Sequence, residues 1–334
     1  MILRVMHVVP LAPDGGTSGF IQRQINGLAE SGVEGRMVFF GGSAMLSHPH
    51  RIPGGFAAIR REIRAFRPDI VHAHWGSLLA FATALASLCG PPLVITYRGS
   101  DINPVPSEPW IRSLIRVACS QLAVLRASAV ICVSDELRDR LWSRRGLVRI
   151  VPDGTDVSLF KPLDKLECRR KLNWPFDESV VFFYEGGRPE VKRRDLADAS
   201  LEEARKLLGP CRLEVMGSDV PHGRVPLLLN ASDGLLMTSD FEGSPNIVRE
   251  ALACNTPIVS VDVGDVRRWI AGLEGTRMVS RDPAEIGLAL AEIIASGLRP
   301  TAKSKTAQFS DESSRNAVLE TYHQVLKNVI KLRR

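Results

Sequence analysis

The stretch 235–261, LLMTSDFEGSPNIVREALACNTPIVSV, decides how the rest of the chain is read. Residues 235–239 form a short apolar run of the kind found in buried strands, and Asp240-Phe241-Glu242-Gly243 breaks it. Ser244 is expected to cap a helix with Pro245 at its first position, where the missing N–H costs nothing. From Ile247 through Val248, Ala251 and Leu252 the apolar spacing is helical, and Asn255 with Pro257 closes the helix. Residues 257–261 make a second buried run. The unit is therefore strand, loop, helix, strand, with the loop at a strand's carboxyl end, where open α/β sheets bind ligands. The front of such a helix carries N–H groups without intrahelical partners and a partial positive charge, so an anion such as a diphosphate is stabilised ahead of Ser244. Glu250, four residues after Asn246, shares its helical face and can reach a hydroxylated group beside that anion. Spacing alone leaves Glu242 and Glu250 equally open to a plainer reading as solvated surface charge.

The same alternation runs outward. Residues 5–10, 37–40, 70–72, 93–96 and 129–133 are short apolar runs separated by helical patterns such as 21–30 and 57–66, which implies a parallel sheet covered by helices. The pattern restarts at 180–184, 212–216, 234–238 and 258–262 as a second α/β domain. Between them, Val151-Pro152-Asp153-Gly154-Thr155-Asp156 and Phe160-Lys161-Pro162 form a turn-rich connector. The expected organisation is a first domain over 1–160, a second over 161–310 and an amphipathic C-terminal helix over 311–334.

With 45% apolar and 24% charged residues the composition is that of a soluble globular protein, and no apolar run approaches the ~20 residues of a membrane span. The opening residues read as a first strand and not as a signal peptide. Six scattered cysteines without a C-x-x-C pair, and histidines without zinc spacing, are expected to be reduced thiols and non-ligating imidazoles in a cytoplasmic protein, with no metal site. Charge is unevenly shared: residues 1–160 hold 17 basic side chains, all arginine, against 12 acidic, and the remainder holds 26 against 25. A basic first half suggests an anionic partner, either a membrane surface or an anionic acceptor. Nucleic acid is disfavoured, because the arginines lack the aromatic platforms or helix motifs such binding uses. Residues 56–66 and 109–125 mix arginines with apolar side chains, which fits an anionic membrane surface and equally fits ordinary helices with solvated charge.

Other loops carry chemistry. Gly186-Gly187-Arg188-Pro189-Glu190-Val191-Lys192 follows a strand directly, so Arg188 as a fork and Lys192 as a point charge can converge on phosphate oxygens. Gly15-Gly16 follows the first strand and opens a helix, another place where backbone N–H groups approach a phosphate; it lacks the G-x-G-x-x-G order of a dinucleotide fingerprint. His72 and His74 stand at a strand end and are expected to point to opposite faces, with His74, beside Trp75 and Gly76, the one that borders an acceptor.

The stretch 241–259 closely resembles the nucleotide-sugar motif of retaining glycosyltransferases of family 4, and three further segments resemble that family in the same order. Residues 184–195 are similar to its Gly-Arg…Lys segment, with the Arg-to-Lys spacing compressed. Residues 151–162 are similar to its Asn-Gly-Val-Asp…Phe-x-Pro hinge, with Asp153 for the usual Asn and Thr155 for Val. Tyr97-Arg98-Gly99-Ser100-Asp101 is similar to its His-Gly-x-Asp turn, with Arg98 in the histidine's place. Thr17 to Ile21, with Gln22 and Gln24, resembles a branch that includes teichuronic-acid glycosyltransferases. The resemblance implies a GT-B fold, two Rossmann-like domains facing each other across a cleft, with the C-terminal helix returning to the first. It implies a retaining, metal-independent transferase that takes sugar from a nucleoside diphosphate sugar to a cell-envelope glycan or lipid-linked acceptor, needs no cofactor and is cytoplasmic or peripheral on the membrane's inner face. Glu250 would hold the ribose, Arg188 and Lys192 the leaving diphosphate, and Glu242 with Gly243, Ser244, Pro245, Asn246 and Ile247 the donor sugar. Gly16 and Gly187 would border the donor, and His74, Arg98 and Asp101 the acceptor. Alternatives are a nucleotide-sugar 2-epimerase of the same fold and a non-catalytic sugar-nucleotide-binding protein.

Overall fold

Short runs of β-branched and apolar residues between polar turns become two all-parallel sheets in the computed structural model, which describes residues 2–12, 15–41, 52–103, 108–143, 146–186 and 189–333. The chain divides into one unit of Met1–Gly154 with Asp311–Arg334 and a second of Thr155–Ser310.

In the first unit β1 (Arg4–Pro10), β2 (Glu34–Phe40), β3 (Ile70–Ala73), β4 (Leu93–Tyr97), β5 (Ala129–Cys132) and β6 (Leu147–Ile150) lie in the order β2-β1-β3-β4-β5-β6. Alternate strand residues feed different cores. Met6, Val8, Val71, Ile95 and Val130 pack with Leu79 and other residues of the Ser77–Ala86 helix. On the opposite face Val5, Ile70, Val94 and Ile131 meet Val318, Tyr322 and Val325 of the Asp311–Arg333 helix. The C-terminal helix thus completes the first unit, because that face of the sheet is apolar and needs a cover.

In the second unit β7 (Ser179–Gly186), β8 (Cys211–Gly217), β9 (Gly234–Met237), β10 (Ile258–Val261) and β11 (Thr276–Val279) lie in the order β11-β10-β9-β7-β8. In each sheet the strand order reverses once, at β1/β3 and at β7/β9. Loops leaving neighbouring strands on opposite faces open a crevice there, and the reversal points fix where each unit can bind a ligand.

The unit boundary falls at Gly154/Thr155 and not near Lys161. Phe160 is fully buried in the second core among residues such as Phe182 and Leu229, and Thr155 is bridged to Ser310, its N–H reaching the Phe309 carbonyl at 2.9 Å. Gly154 is fixed by close approach: a Cβ there would lie 2.6 Å from Asp311 Cα. Two strands escape the sequence pattern, β6 (LVRI) and β11 (TRMV). Both are edge strands interrupted by an arginine, tolerated because an edge leaves one side open to water.

Candidate functional site

At the β7/β9 crevice the two strand-end loops are stitched together. Thr238 Oγ1 donates to the Lys192 carbonyl at 2.8 Å, and the Asp240 N–H donates to the Val191 carbonyl at 2.9 Å. This brings Lys192 Nζ to 2.5 Å from Glu242 Oε1, which also accepts from Ser239 Oγ at 2.9 Å. The ammonium sits 5.1 Å from the Tyr184 ring centroid, within cation–π range. Burial pushes the Tyr184 phenol up, and the negative charges of Glu250 and Glu242 push it further, so both carboxylates act on this side chain near the end of β7. Gly264 holds the loop from behind with φ +56°; a Cβ there would lie 3.1 Å from the Glu242 and Gly243 carbonyl oxygens.

The helix that follows runs Asn246–Ala253, with Pro245 in the capping position and no side-chain cap. The expected Ser244 cap is corrected: Ser244 Oγ donates to Asp265 Oδ2 at 2.7 Å and accepts from Arg249, whose guanidinium also reaches Asn246 Oδ1 at 2.5 Å. Arg249 is fully buried, and Trp269 Nε1 donates to the same Asp265 oxygen at 2.8 Å. Burial raises the Asp265 carboxyl while Arg249 opposes it. Because Ser244 serves this buried network, the leading N–H groups of the helix are left for whatever lies ahead of it. Ile247 and Gly243 are buried, and Glu250 is 6% exposed with its Oε1 held at 3.0 Å from His222 Nε2. The His222 ring packs edge-on against Phe160 at 5.1 Å. Arg188 and Gly187 lie outside the described residues.

His222, Arg249 and Asp265 were not singled out in the sequence. His222 had a signal, since Pro221-His222-Gly223 is the turn beyond the carboxyl end of β8; the Arg249–Asp265 pair had none, because Arg249 sits on the Asn246–Ala253 helix and Asp265 on the loop after β10.

In the first unit the Gly15-Gly16 loop is closed by the Ala12 N–H donating to the Gly16 carbonyl at 2.9 Å. The three acceptor-side residues prove largely internal. Asp101 is fully buried and accepts from the N–H groups of Arg98 (3.0 Å), Gly99 (2.8 Å) and Gly76 (3.0 Å), so it shapes the turns after β4 and β3. Arg98 is 8% exposed; it donates to Asp153 Oδ1 at 2.9 Å and to Gln24 Oε1 at 3.3 Å and stacks over Phe20 at 5.0 Å. Two of the departures from the family pattern, Arg98 and Asp153, are thus each other's partner. Phe20 and Gln24 in turn line a cavity of about 240 Å³ with Arg23, Asn26, Ser314 and Arg315.

The expectation that His72 and His74 diverge is overturned. Residues two apart on a strand share a face, and the rings stack at 3.9 Å. His7 joins them, with Nδ1 at 2.9 Å from His74 Nε2, and all three are fully buried. His72 is held at both nitrogens, by Tyr322 Oη at 2.6 Å and Thr96 Oγ1 at 2.7 Å. Their ligand atoms lie within 4.8 Å of one another, which is metal-like proximity; a metal would have to displace those bonds to reach His72.

Two parallel sheets, each with its ligand crevice at a reversal of strand order, define a chain of the GT-B class. Residues 8–159 match the Glycosyltransferase Family 4 model, and residues 178–296 match Glycosyl transferases group 1. Over those residues the chain is similar to the family 4 and the group 1 glycosyltransferases. Among curated relatives it is 29% identical over 243 residues to the teichuronic acid biosynthesis glycosyltransferase TuaC of Bacillus subtilis (67% of this chain, 61% of that one). It is 25% identical over 276 residues to D-inositol 3-phosphate glycosyltransferase 1 of Catenulispora acidiphila (70% and 66%). The chain thus spans 61–66% of the length of these relatives. Sucrose-phosphate synthase from Thermosynechococcus elongatus shares its fold at TM-score 0.69 and 17% identity, over 99% of this chain and 98% of that one. Anabaena Alr3699/HepE in complex with UDP and glucose does so at TM-score 0.71 and 16%, over 96% and 100%.

Proposed function

We propose that the protein is a retaining glycosyltransferase that moves a sugar from a nucleoside diphosphate sugar to a cell-envelope glycan or lipid-linked acceptor, working in the cytoplasm at the inner face of the membrane. The observation that carries this is the convergence at the β7/β9 crevice of Lys192, Glu242, Glu250 and the uncapped front of the Asn246–Ala253 helix. Glu250 accepts from the ribose hydroxyls, with His222 fixing its rotamer. Lys192, with Arg188 four residues before it in the sequence, neutralises the charge that develops on the leaving diphosphate. Glu242 and the backbone of residues 243–247 orient the donor sugar. Catalysis is then positioning plus electrostatic stabilisation of the leaving group. We assign the cationic role to side chains and the helix front and not to a divalent ion, since Glu242, the carboxylate an ion would use, is already paired with Lys192.

The test is product analysis with a panel of nucleotide sugars, with and without a lipid-linked oligosaccharide. Transfer to the acceptor with retained anomeric configuration supports the proposal. An isomerised sugar formed without acceptor would make the protein an epimerase, and binding without turnover a non-catalytic receptor.

A further inference from the structure

The Trp110–Val124 helix is inside out. A helix on a soluble protein turns its apolar stripe inward and its polar face to water, yet here the buried positions include Ser113, Arg116, Ser120 and Gln121. Each has its hydrogen bonds: Arg116 donates to Glu108 Oε2 and to the Asn103 carbonyl, both at 3.0 Å, Ser120 Oγ to the Asp101 carbonyl at 2.6 Å, and Gln121 Nε2 to the Arg140 carbonyl at 2.9 Å. The outward positions are Trp110 (73% exposed), Ile111, Leu114 (56%), Ile115, Leu122 and, just past the end, Leu125 (58%), with Arg112 the one charged side chain among them. The polar inner face is satisfied, so the orientation is built in.

This face continues across its neighbours. The helices Ile52–Phe66, Ser77–Ala86 and Trp110–Val124 connect β2 to β3, β3 to β4 and β4 to β5. All three crossovers step the same way along the sheet, so right-handed connection puts them on one face of it, and each contacts the next. Leu88 and Leu85 extend the apolar surface at the end of the middle helix, where Arg126 donates to the Ser87 carbonyl at 2.6 Å. The outer helix is basic: Arg60, Arg61 and Arg64 are exposed and line a shallow groove with Phe56. An apolar helix with an aromatic side chain at its start, flanked by a row of arginines, complements a surface that is apolar beneath a layer of negative charge.

We propose that this layer is a membrane-docking surface, with the Trp110–Val124 helix buried at the headgroup boundary of an anionic bilayer and Arg60, Arg61 and Arg64 against its phosphates. It deepens the proposed function by naming the surface that brings the enzyme to a lipid-linked acceptor.

Flotation with vesicles of phosphatidylglycerol and phosphatidylcholine, and with phosphatidylcholine alone, tests it on the whole chain. Binding is expected to the anionic vesicles, weakening as salt rises. L114E/I115E should lower the partition coefficient at least tenfold, and R60Q/R61Q/R64Q should remove the preference for anionic lipid. All these positions are exposed, so circular dichroism should be unchanged. UDP binding, measured in parallel by calorimetry, reports on the donor site independently; its absence would count against the proposed function and not against the surface. No vesicle binding by the native protein, or undiminished binding by L114E/I115E, overturns the inference. So does a dimer in light scattering that L114E/I115E dissociates, which would give the face to a second copy.

Discussion

Lowering the pH towards 5 should unfold the first unit before the second, through His7, His72 and His74. Burial holds all three neutral: it lowers His7 from 6.5 to about 3 and His72 and His74 well below the usual range, where the nearby charge of Arg98 adds to the effect. In the unfolded chain the same imidazoles take up protons near 6.5. Their contribution is therefore fully present above 6.5 and drains away as pH falls towards the folded value. Each histidine costs about 1.4 kcal/mol per pH unit in that window, so near pH 5 one costs about 2 kcal/mol and three about 6 kcal/mol. That is comparable with the ~5–15 kcal/mol that holds a domain together. His72 bonds Tyr322, so the loss also falls on the docking of the C-terminal helix. Urea unfolding at several pH values between 7.5 and 5, followed by hydrogen-exchange mass spectrometry corrected for intrinsic rates, separates the two units. The slope for the first unit should correspond to an uptake of about three protons, falling to about two in His7→Asn, where the amide can keep a bond to His74. A midpoint that stays flat between pH 7 and 5, or a slope unchanged by His7→Asn, would refute the reasoning.

Glu250→Gln should weaken nucleotide-sugar binding by about 1–3 kcal/mol in calorimetry, the value of a charge-assisted hydrogen bond; unchanged affinity would remove Glu250 from the donor site. Transfer should survive a chelator, whereas Arg188→Ala or Lys192→Ala should each lose several kcal/mol of transition-state stabilisation in kcat/KM; activity abolished by chelation and restored by magnesium or manganese would reverse that assignment. Arg98→His should destabilise the first unit by roughly 3 kcal/mol by stranding the buried Asp153 carboxylate, and adding Asp153→Asn should recover most of it; additive losses in urea titrations would show that the two do not act as a pair.

The sequence by itself determined what depends on neighbours a few residues apart. Alternating apolar runs and helical periods specified two parallel α/β units, and the strand–loop–helix–strand spacing of 235–261 placed Glu242 and Glu250 at a strand's carboxyl end. Motif resemblance extended this to the family. What needed tertiary structure were pairings between residues far apart in the chain. Arg98 with Asp153, Lys192 with Glu242, His222 with Glu250 and His72 with Tyr322 are separated by 55, 50, 28 and 250 residues. Ser244 has the residue type and position of a helix cap, yet a buried arginine and an aspartate from another loop compete for its hydroxyl and win. The arginine-marked strands β6 and β11 pair only because a sheet edge was there to receive them. Local propensity chooses the elements, but which polar group is left free at a site is settled by the burial of every other polar group around it, and that sum is taken over the whole fold.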